Sequence, residues 1–379
     1  MRARRILPVL AAAALVPAAL AAQSAPVGST TGYGGIEVRG LSFASGLGIK
    51  SATEIVVPVA AVWQASPRLA LDFGGHYATV SRKDETGASA SISGLTDLQA
   101  RGSYQIVPDV AVFTLAVNLP TGTSKLTAAQ IPVANLIASD MIPFPVANFA
   151  SGFNVTTGVA LAVPVGEWAL GLAGSYRANG AFTPISDTGA AGASYKAGGE
   201  FRLRLGADRI VGQSRISLGV IYSSFGEDEF GSSPLFQSGN RLITQASWSF
   251  PVGNLGIAVY AWDMYRGAGS VIVNGTNTEK RNVLTLGALA SVQMGRSVLR
   301  PQVEFRNYTT GLCLGAVSSS LCAGGKLVSL GARYQVPLSE RYALLPLLKL
   351  DVGNVVNPTT GQSVSYSGWD IGVTLRASM

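Results

Sequence analysis

The sequence is poor in charge, histidine and cysteine, and beyond its first residues it has no long apolar run. Only 13% of the 379 residues are charged, and there are one histidine and two cysteines. The longest later apolar stretches, such as Ile55 to Trp63, fall well short of the roughly 18 unbroken apolar residues of a membrane-spanning helix. The sequence therefore argues against a helical membrane protein.

Motifs for catalysis and for cofactor binding are absent as well. There is no G-x-S-x-G elbow, Walker loop, HExxH or Cys/His metal cluster, so we expect no enzyme, no cofactor and no metal site. A Ser–His dyad of the outer-membrane phospholipase kind using His76 is an alternative, beside the simpler interpretation of His76 as a hydrogen-bonded polar residue. No basic cluster indicates nucleic acid, so we expect no such partner.

The first 22 residues have the pattern of a secretory signal peptide. Arg2, Arg4 and Arg5 precede an apolar stretch from Ile6 to Leu20, and Ala19-Leu20-Ala21 provides a small-x-small cleavage site. We predict an exported protein whose residues 23–379 form one domain.

The later part of the chain is rich in segments in which apolar and polar residues alternate. From Trp369 to Met379 the apolar side chains occupy the odd positions, and Asp370, Thr374 and Arg376 lie between them. Successive side chains of a strand point to opposite faces, so such segments have one apolar and one polar face. Repeated along an exported chain, they predict an all-β transmembrane antiparallel up-and-down β-barrel in the bacterial outer membrane.

Short turns alternate with long connections, which gives the number of strands. Seven short turns, such as Pro251 to Asn254, alternate with eight longer polar or Gly-rich connections. The longer connections lie near residues 44–51, 83–93, 120–152, 178–193, 227–238, 267–280, 309–325 and 354–364. This pattern predicts 16 strands, or 14 if the first hairpin is miscounted.

The charged residues of these strands should face the lumen, because an unpaired charge facing lipid at mid-depth costs about 2–4 kcal/mol. The candidate lumen-facing residues are His76, Asp97, Arg101, Glu200, Arg202, Arg204, Arg300, Glu304, Arg306, Arg333, Lys349 and Asp351. Both signs of charge are present, which favours cross-strand hydrogen-bonded ladders over an ion filter of one sign.

The longest connection, from Thr121 to Phe149, is unusually apolar for a surface loop. Its apolar residues include Leu126, Ile131, Val133, Leu136, Ile137, Met141, Ile142, Phe144, Val146 and Phe149. A disordered loop would be polar, so we expect these side chains to be buried at the mouth or in the lumen, where they would line or plug an entrance for hydrophobic molecules. A cap that packs on other loops, or on a second subunit, is the alternative.

Cys313 and Cys322 lie in one Gly/Ser-rich segment. In an oxidising exported compartment, with no other thiol in the chain, we predict a local disulfide between them. A metal site would need two further ligands, which the segment lacks.

Part of the chain resembles a known family. A hairpin with Pro58, Leu69 and Leu71 precedes a G-x-x-D-L motif formed by Gly94, Asp97 and Leu98, and the next strand ends in Leu-Pro-Thr-Gly at residues 119–122. Over about residues 53–122 the sequence is similar to the outer-membrane transporters associated with the meta-pathway of phenol degradation, which are related to the long-chain fatty-acid and aromatic-hydrocarbon channels. The resemblance implies a barrel for hydrophobic solutes and identifies no substrate contacts.

The expected function is a passive outer-membrane channel for small hydrophobic or aromatic compounds. Its partners would be outer-membrane lipid and small hydrophobic solutes, and the sequence leaves the oligomeric state open. A general polar-solute porin, and a structural or surface-interaction barrel, are the alternatives.

Overall fold

The computed structural model describes residues 27–187 and 192–379, so the predicted signal peptide at 1–22 lies outside the described residues. Nearly all of the secondary structure is antiparallel strand. The strands are β1 (Thr30–Phe43), β2 (Ser51–Ser66), β3 (Leu69–Lys83), β4 (Ser89–Leu95), β5 (Leu98–Val107), β6 (Ala111–Leu119), β7 (Asn154–Val165), β8 (Trp168–Asn179), β9 (Tyr195–Lys196), β10 (Glu200–Val211), β11 (Ser214–Phe225), β12 (Glu227–Phe230), β13 (Ser233–Gln237), β14 (Arg241–Val252), β15 (Leu255–Arg266), β16 (Ser270–Val271), β17 (Thr276–Asn277), β18 (Arg281–Met294), β19 (Ser297–Cys313), β20 (Ala316–Pro337), β21 (Tyr342–Val356) and β22 (Ser363–Ser378).

Seventeen of these strands close into a 16-stranded barrel, in which β4 and β5 share one position, and this confirms the predicted fold. The first and last strands pair antiparallel, from Thr31 opposite Ser378 to Phe43 opposite Tyr366. Segments β4 and β5 both pair with β3 and together form one barrel strand, interrupted at Thr96 and Asp97. The short strands β9, β12, β13, β16 and β17 form a separate five-stranded sheet built from the connections above β8–β18.

Tight turns join the strands at the end of the barrel that holds both described termini. Four of these turns place a glycine at positive φ, for example Gly166 at 59° and Gly253 at 58°. Two-residue hairpins need positive φ, which glycine adopts without steric cost. The long connections emerge at the opposite end, as predicted.

One predicted loop is mostly strand. We expected a Gly/Ser-rich connection over 309–325, but β19 continues to Cys313 and β20 begins at Ala316, so only Leu314 and Gly315 connect them. The two strands keep pairing beyond the barrel, from Thr309 opposite Ala323 to Cys313 opposite Ala316. Paired backbone groups satisfy each other's hydrogen bonds, so this segment needs no barrel neighbour to remain extended. The predicted connection at 83–93 likewise contains the start of β4.

Alternating burial distinguishes the two faces of the barrel wall. In β22 the side chains of Val364, Tyr366 and Asp370 are buried, whereas Trp369 and Ile371 are exposed on the opposite face. Large apolar residues are exposed in the same alternating way on most other barrel strands. The outer surface of the barrel is therefore an apolar belt that suits lipid.

The connection between β6 and β7, residues 120–153, is called the inner loop below. It contains a 3₁₀ turn at Ala128–Gln130 and a short helix, α1, at Ile131–Ile137, with Pro132 in the first helical turn. Proline is tolerated there because the first N–H groups of a helix have no intrahelical partner. Within residues 27–187 and 192–379, no helix is long and apolar enough to span a membrane.

Candidate functional site

The inner loop folds into the barrel and forms the main hydrophobic core with the inner wall. Val133 and Ile137 of α1 are buried in one cluster with Val80, Ile92 and Leu327 of the barrel. Met141, Ile142, Phe144, Val146 and Phe149 belong to the same cluster, and Leu126 and Leu136 are partly buried against it. Ile131, at the start of α1, is half-buried. These apolar side chains therefore attach the loop to the wall.

This burial bears on the expectation that the apolar residues line an entrance. Val133 is 0% exposed and Phe144 is 8% exposed, so even water does not reach most of these side chains. The exposed side of the loop includes Asn135, Ala138 and Asn148. The apolar residues hold the loop in place and do not line the open space.

Polar anchors fix both ends of the inner loop at Asp97. Its carboxylate accepts hydrogen bonds from the backbone N–H of Gly122 at 2.9 Å and of Ser151 at 2.7 Å, and from Asn118 Nδ2 at 2.8 Å. The backbone N–H of Asp97 donates to the Phe149 carbonyl at 3.0 Å. Asp97 can do this because the break between β4 and β5 frees its backbone from the ladder.

The middle of the loop is attached to β1 and β2, on the same side of the barrel. Glu54 of β2 accepts the N–H of Val146 at 2.9 Å and is fully buried. Arg39 of β1 donates to the Pro143 carbonyl and to Asp351, and its guanidinium lies 5.7 Å from the Phe144 ring centroid. Because a buried charge is costly unless it is paired and hydrogen-bonded, these contacts strongly favour one position of the loop.

One close approach and one ion pair extend the attachment to β20 and β18. Gly325 has φ of 154°, and a Cβ built there would lie 2.6 Å from Met141 Sδ, so glycine allows Met141 of the loop to pack closely against β20. Asp140 Oδ2 lies 3.2 Å from Arg281 Nη1. The inner loop thus contacts the wall from β18 through β22 and β1 to β4. The inner faces of β7, β8, β10, β11, β14 and β15, called the open wall below, lie across from these attachments.

By strand register, the predicted lumen-facing residues that belong to barrel strands lie on the inner side of the wall, whereas Asp97 lies in the break between β4 and β5. Arg101 pairs with Asp72 at 2.9 Å, Arg306 with Glu304 at 3.4 Å, and Lys349 with Asp351 at 3.6 Å. Arg300 donates to Gln335 at 3.3 Å and lies opposite Arg333 in the register.

Glu200 is the centre of a larger group. Its carboxylate lies 2.7 Å from Arg202, 2.9 Å from Arg241 and 4.0 Å from Arg177. Arg204 lies two residues further along the same face of β10.

His76 lies opposite Pro58 in the register of β2 and β3. Across the described residues, no serine hydroxyl hydrogen-bonds to its imidazole, so the structure does not bring together the dyad that was the enzymatic alternative.

Sequence reasoning missed several residues that now define the site: Arg39, Glu54, Asp140, Arg241, Arg266 and Arg281. Strand parity could have identified Arg39, because Glu37 and Arg39 alternate with Ile36 and Val38. The partners of Glu54 and Asp140 depend on how the inner loop folds, which no local pattern reveals.

Small side chains line the open wall below the inner loop. Ala160, Ala162, Ala169, Gly171 and Ala173 lie on the inner faces of β7 and β8, and Ala162 and Ala169 are exposed. Small inward residues leave room in the lumen of a barrel of this size.

The closed barrel, the apolar outer belt and the polar inner faces form one consistent architecture. The protein is a β-barrel of the bacterial outer membrane.

Comparison with known proteins adds structural similarity only. No protein-family model and no curated protein matches the chain. Among solved structures, the CymD monoaromatic hydrocarbon channel is 12% identical, with 96% of this chain and 91% of that chain covered and a TM-score of 0.42. OmpF of Salmonella typhi, in complex with daunomycin, is 12% identical, with 92% of this chain and 98% of that chain covered and a TM-score of 0.44.

An anion-selective porin from Comamonas acidovorans is 14% identical over 93% of this chain and 100% of that chain, with a TM-score of 0.40. At such values the similarity is no guide to the solute.

Proposed function

We propose that the protein is a passive outer-membrane channel for small solutes, small hydrophobic or aromatic compounds among them. The main observation in support of this proposal is that the inner loop is attached to one part of the wall, while the small side chains of the open wall remain accessible to water. Diffusion along that wall needs no energy source and no catalytic step.

The preference for hydrophobic or aromatic solutes has separate support. Leu345 and Leu347 of β21 add apolar inner-face side chains to the alanines of β7 and β8. The sequence resemblance over residues 53–122 points the same way. The buried apolar residues of the inner loop give no such support, because they do not reach the open space.

A general polar-solute porin is the second candidate. It is favoured by the arginines of the open wall, such as Arg177, whose side chain is 46% exposed. Uptake by proteoliposomes of toluene, phenol and a small sugar separates the two candidates. Sugar uptake that exceeds the uptake of both aromatic compounds would favour the polar porin.

A steric block tests whether solutes pass along the open wall. Ala173→Trp places a large ring on the inner face of β8, and it should lower single-channel conductance and uptake of every solute that the native protein admits. Leu172→Trp is the matched control, because Leu172 is an exposed residue of the lipid-facing side. Equal conductance of the two variants and the native protein would place the path elsewhere.

A further inference from the structure

Four arginines share one row across the open wall and its neighbour β18. Arg202 lies opposite Ser223, Ser223 opposite Arg241, Arg241 opposite Arg266, and Arg266 opposite Arg281. All four side chains lie on the inner face. These four residues are called the arginine belt.

Like charges directly opposite each other destabilise a sheet, so such a row needs compensation. Glu200 lies within ion-pair distance of Arg202 and Arg241. Arg281 pairs with Glu279 at 2.7 Å and with Asp140 of the inner loop at 3.2 Å.

Arg266 is the exception within the part of the chain that the structure describes. No carboxylate lies within ion-pair distance of its guanidinium, although it has an arginine opposite it on each side. The Nε atoms of Arg241 and Arg266 are also buried without a hydrogen-bond partner. A negative charge is therefore missing at the centre of the belt.

We propose that the arginine belt binds small organic carboxylates, aromatic ones included, with the carboxylate between Arg241, Arg266 and Arg281. Guanidinium groups present planar forks that match a carboxylate in two parallel hydrogen bonds. This proposal rests on the proposed channel function and specifies the charge of a preferred solute.

The location of the belt suits capture from outside the cell. Arg241 and Arg281 begin β14 and β18, and Arg266 ends β15, so the row lies at the end of the barrel where the long connections emerge. The side chains of Arg241 and Arg281 are 20% and 33% exposed. A positive surface at a channel mouth raises the local concentration of anions and speeds their entry.

Three aromatic probes of similar size and different charge test the proposal. Uptake of benzoate, benzyl alcohol and benzylamine is measured in proteoliposomes, and benzoate binding to the detergent-solubilised native protein is measured by calorimetry. We expect the native protein to admit benzoate fastest. Arg266→Gln should remove that preference and weaken benzoate binding about tenfold, the loss expected for one charge-assisted contact.

Arg215→Gln is the matched control. Arg215 also points inward but lies at the other end of β11, paired with Asp208 at 3.0 Å, so benzoate binding should be unchanged in this variant. Equal benzoate binding by the native protein and Arg266→Gln would overturn the site, as would undetectable benzoate binding by the native protein.

The channel proposal is tested separately in the same experiment. If benzyl alcohol enters and benzoate has no advantage, the channel stands and the anion site is wrong. If benzoate binds but none of the three probes enters, the site stands and the channel is wrong.

Discussion

At the scale of single residues, Asp97 joins both ends of the inner loop to the barrel. The sequence placed it among the lumen-facing residues from its motif, but no pattern indicated that it would accept hydrogen bonds from both ends of a loop of more than thirty residues. Those partners come from positions 122 and 151, and only the folded loop brings them to one carboxylate. The lumen-facing position of Asp97 was thus predictable, and its hydrogen-bond partners were not.

Asp97→Ala should loosen the inner loop. The N–H groups of Gly122 and Ser151 would lose their acceptor, and each buried unsatisfied donor costs about 1–3 kcal/mol. Proteolysis of folded protein in detergent should cleave the inner loop faster than in the native protein. Asp208→Ala, which changes an aspartate far from the loop, is the control, and equal cleavage of the two variants would contradict the anchoring role.

A second prediction concerns Glu85, in the connection between β3 and β4. The backbone N–H of Gly46 donates to its carboxylate at 2.7 Å, and those of Gly48 and Leu47 donate at 3.0 and 3.2 Å. The hydrogen bond from Gly46, aided by the other two, holds the pKa of Glu85 below its usual 4.5. Because the ionised carboxylate is favoured in the folded protein, the contact stabilises the fold above pH 4.5. This stabilisation is lost as the pH falls through the lowered pKa of Glu85 in the folded protein.

Hydrogen exchange at residues 46–48 measures this contact between two external connections. The amides should exchange faster at pH 3 than at pH 6, after correction for the intrinsic rates, and Glu85→Gln should raise the exchange rate at pH 6. Glu340→Gln, at a turn on the other end of the barrel, is the control. Protection that is the same at both pH values would show that Glu85 does not hold the connection.

At the scale of elements, the hairpin of β19 and β20 contains strand where the amino-acid composition predicted a loop. Its Gly/Ser-rich tip was expected to be an irregular loop, yet pairing continues to Cys313 and Ala316. The disulfide between Cys313 and Cys322 was predicted from cysteine count and compartment, and it is confirmed. Cross-strand pairing was not predictable, because apolar and polar residues do not alternate along this Gly/Ser-rich tip.

Replacing both cysteines by serine should loosen the tip and leave the barrel intact. The disulfide closes a short loop, and by the chain-entropy estimate such a link is worth at most about 3 kcal/mol, less where strands already pair. Limited proteolysis should cleave the variant between residues 309 and 325, while its heat-modifiable mobility in SDS gels stays native. Loss of the folded mobility would show that the barrel depends on the disulfide.

At the scale of the whole molecule, the sequence predicted strand number and faces because both follow from local rules. Turn residues mark hairpins, and alternation assigns each side chain to lipid or lumen. Which residues lie side by side in a row that crosses several neighbouring strands depends on the combined register of those strands, and no single segment shows that register. The arginine belt is the example: its members come from four strands and align only when the register is known.

Cysteine labelling tests the assignment of faces. In a variant without the native cysteines, Arg202→Cys should react with a charged thiol reagent in reconstituted protein, and Leu203→Cys should not, because a one-residue slip inverts every face. Comparable labelling after denaturation controls for reactivity. Faster reaction at position 203 than at position 202 in the membrane would show that the register is wrong.

The barrel should also form without the inner loop, since every barrel strand is hydrogen-bonded to two others. Deleting residues 124–147 and inserting a short glycine linker keeps Gly122 and Ser151 beside Asp97. The deletion exposes Val80, Ile92 and Leu327, at about 25 cal/mol for each Å² of apolar surface, so the variant should melt lower than the native protein.

Its single-channel conductance should rise, because the loop fills part of the lumen, and its preference among solutes should weaken. An insertion of equal length in the exposed connection at 357–362 controls for changes to the outer surface. If the deletion variant is folded and its conductance and solute preference equal those of the native protein, the path for solutes does not run beside the inner loop, and the proposed channel loses its structural basis.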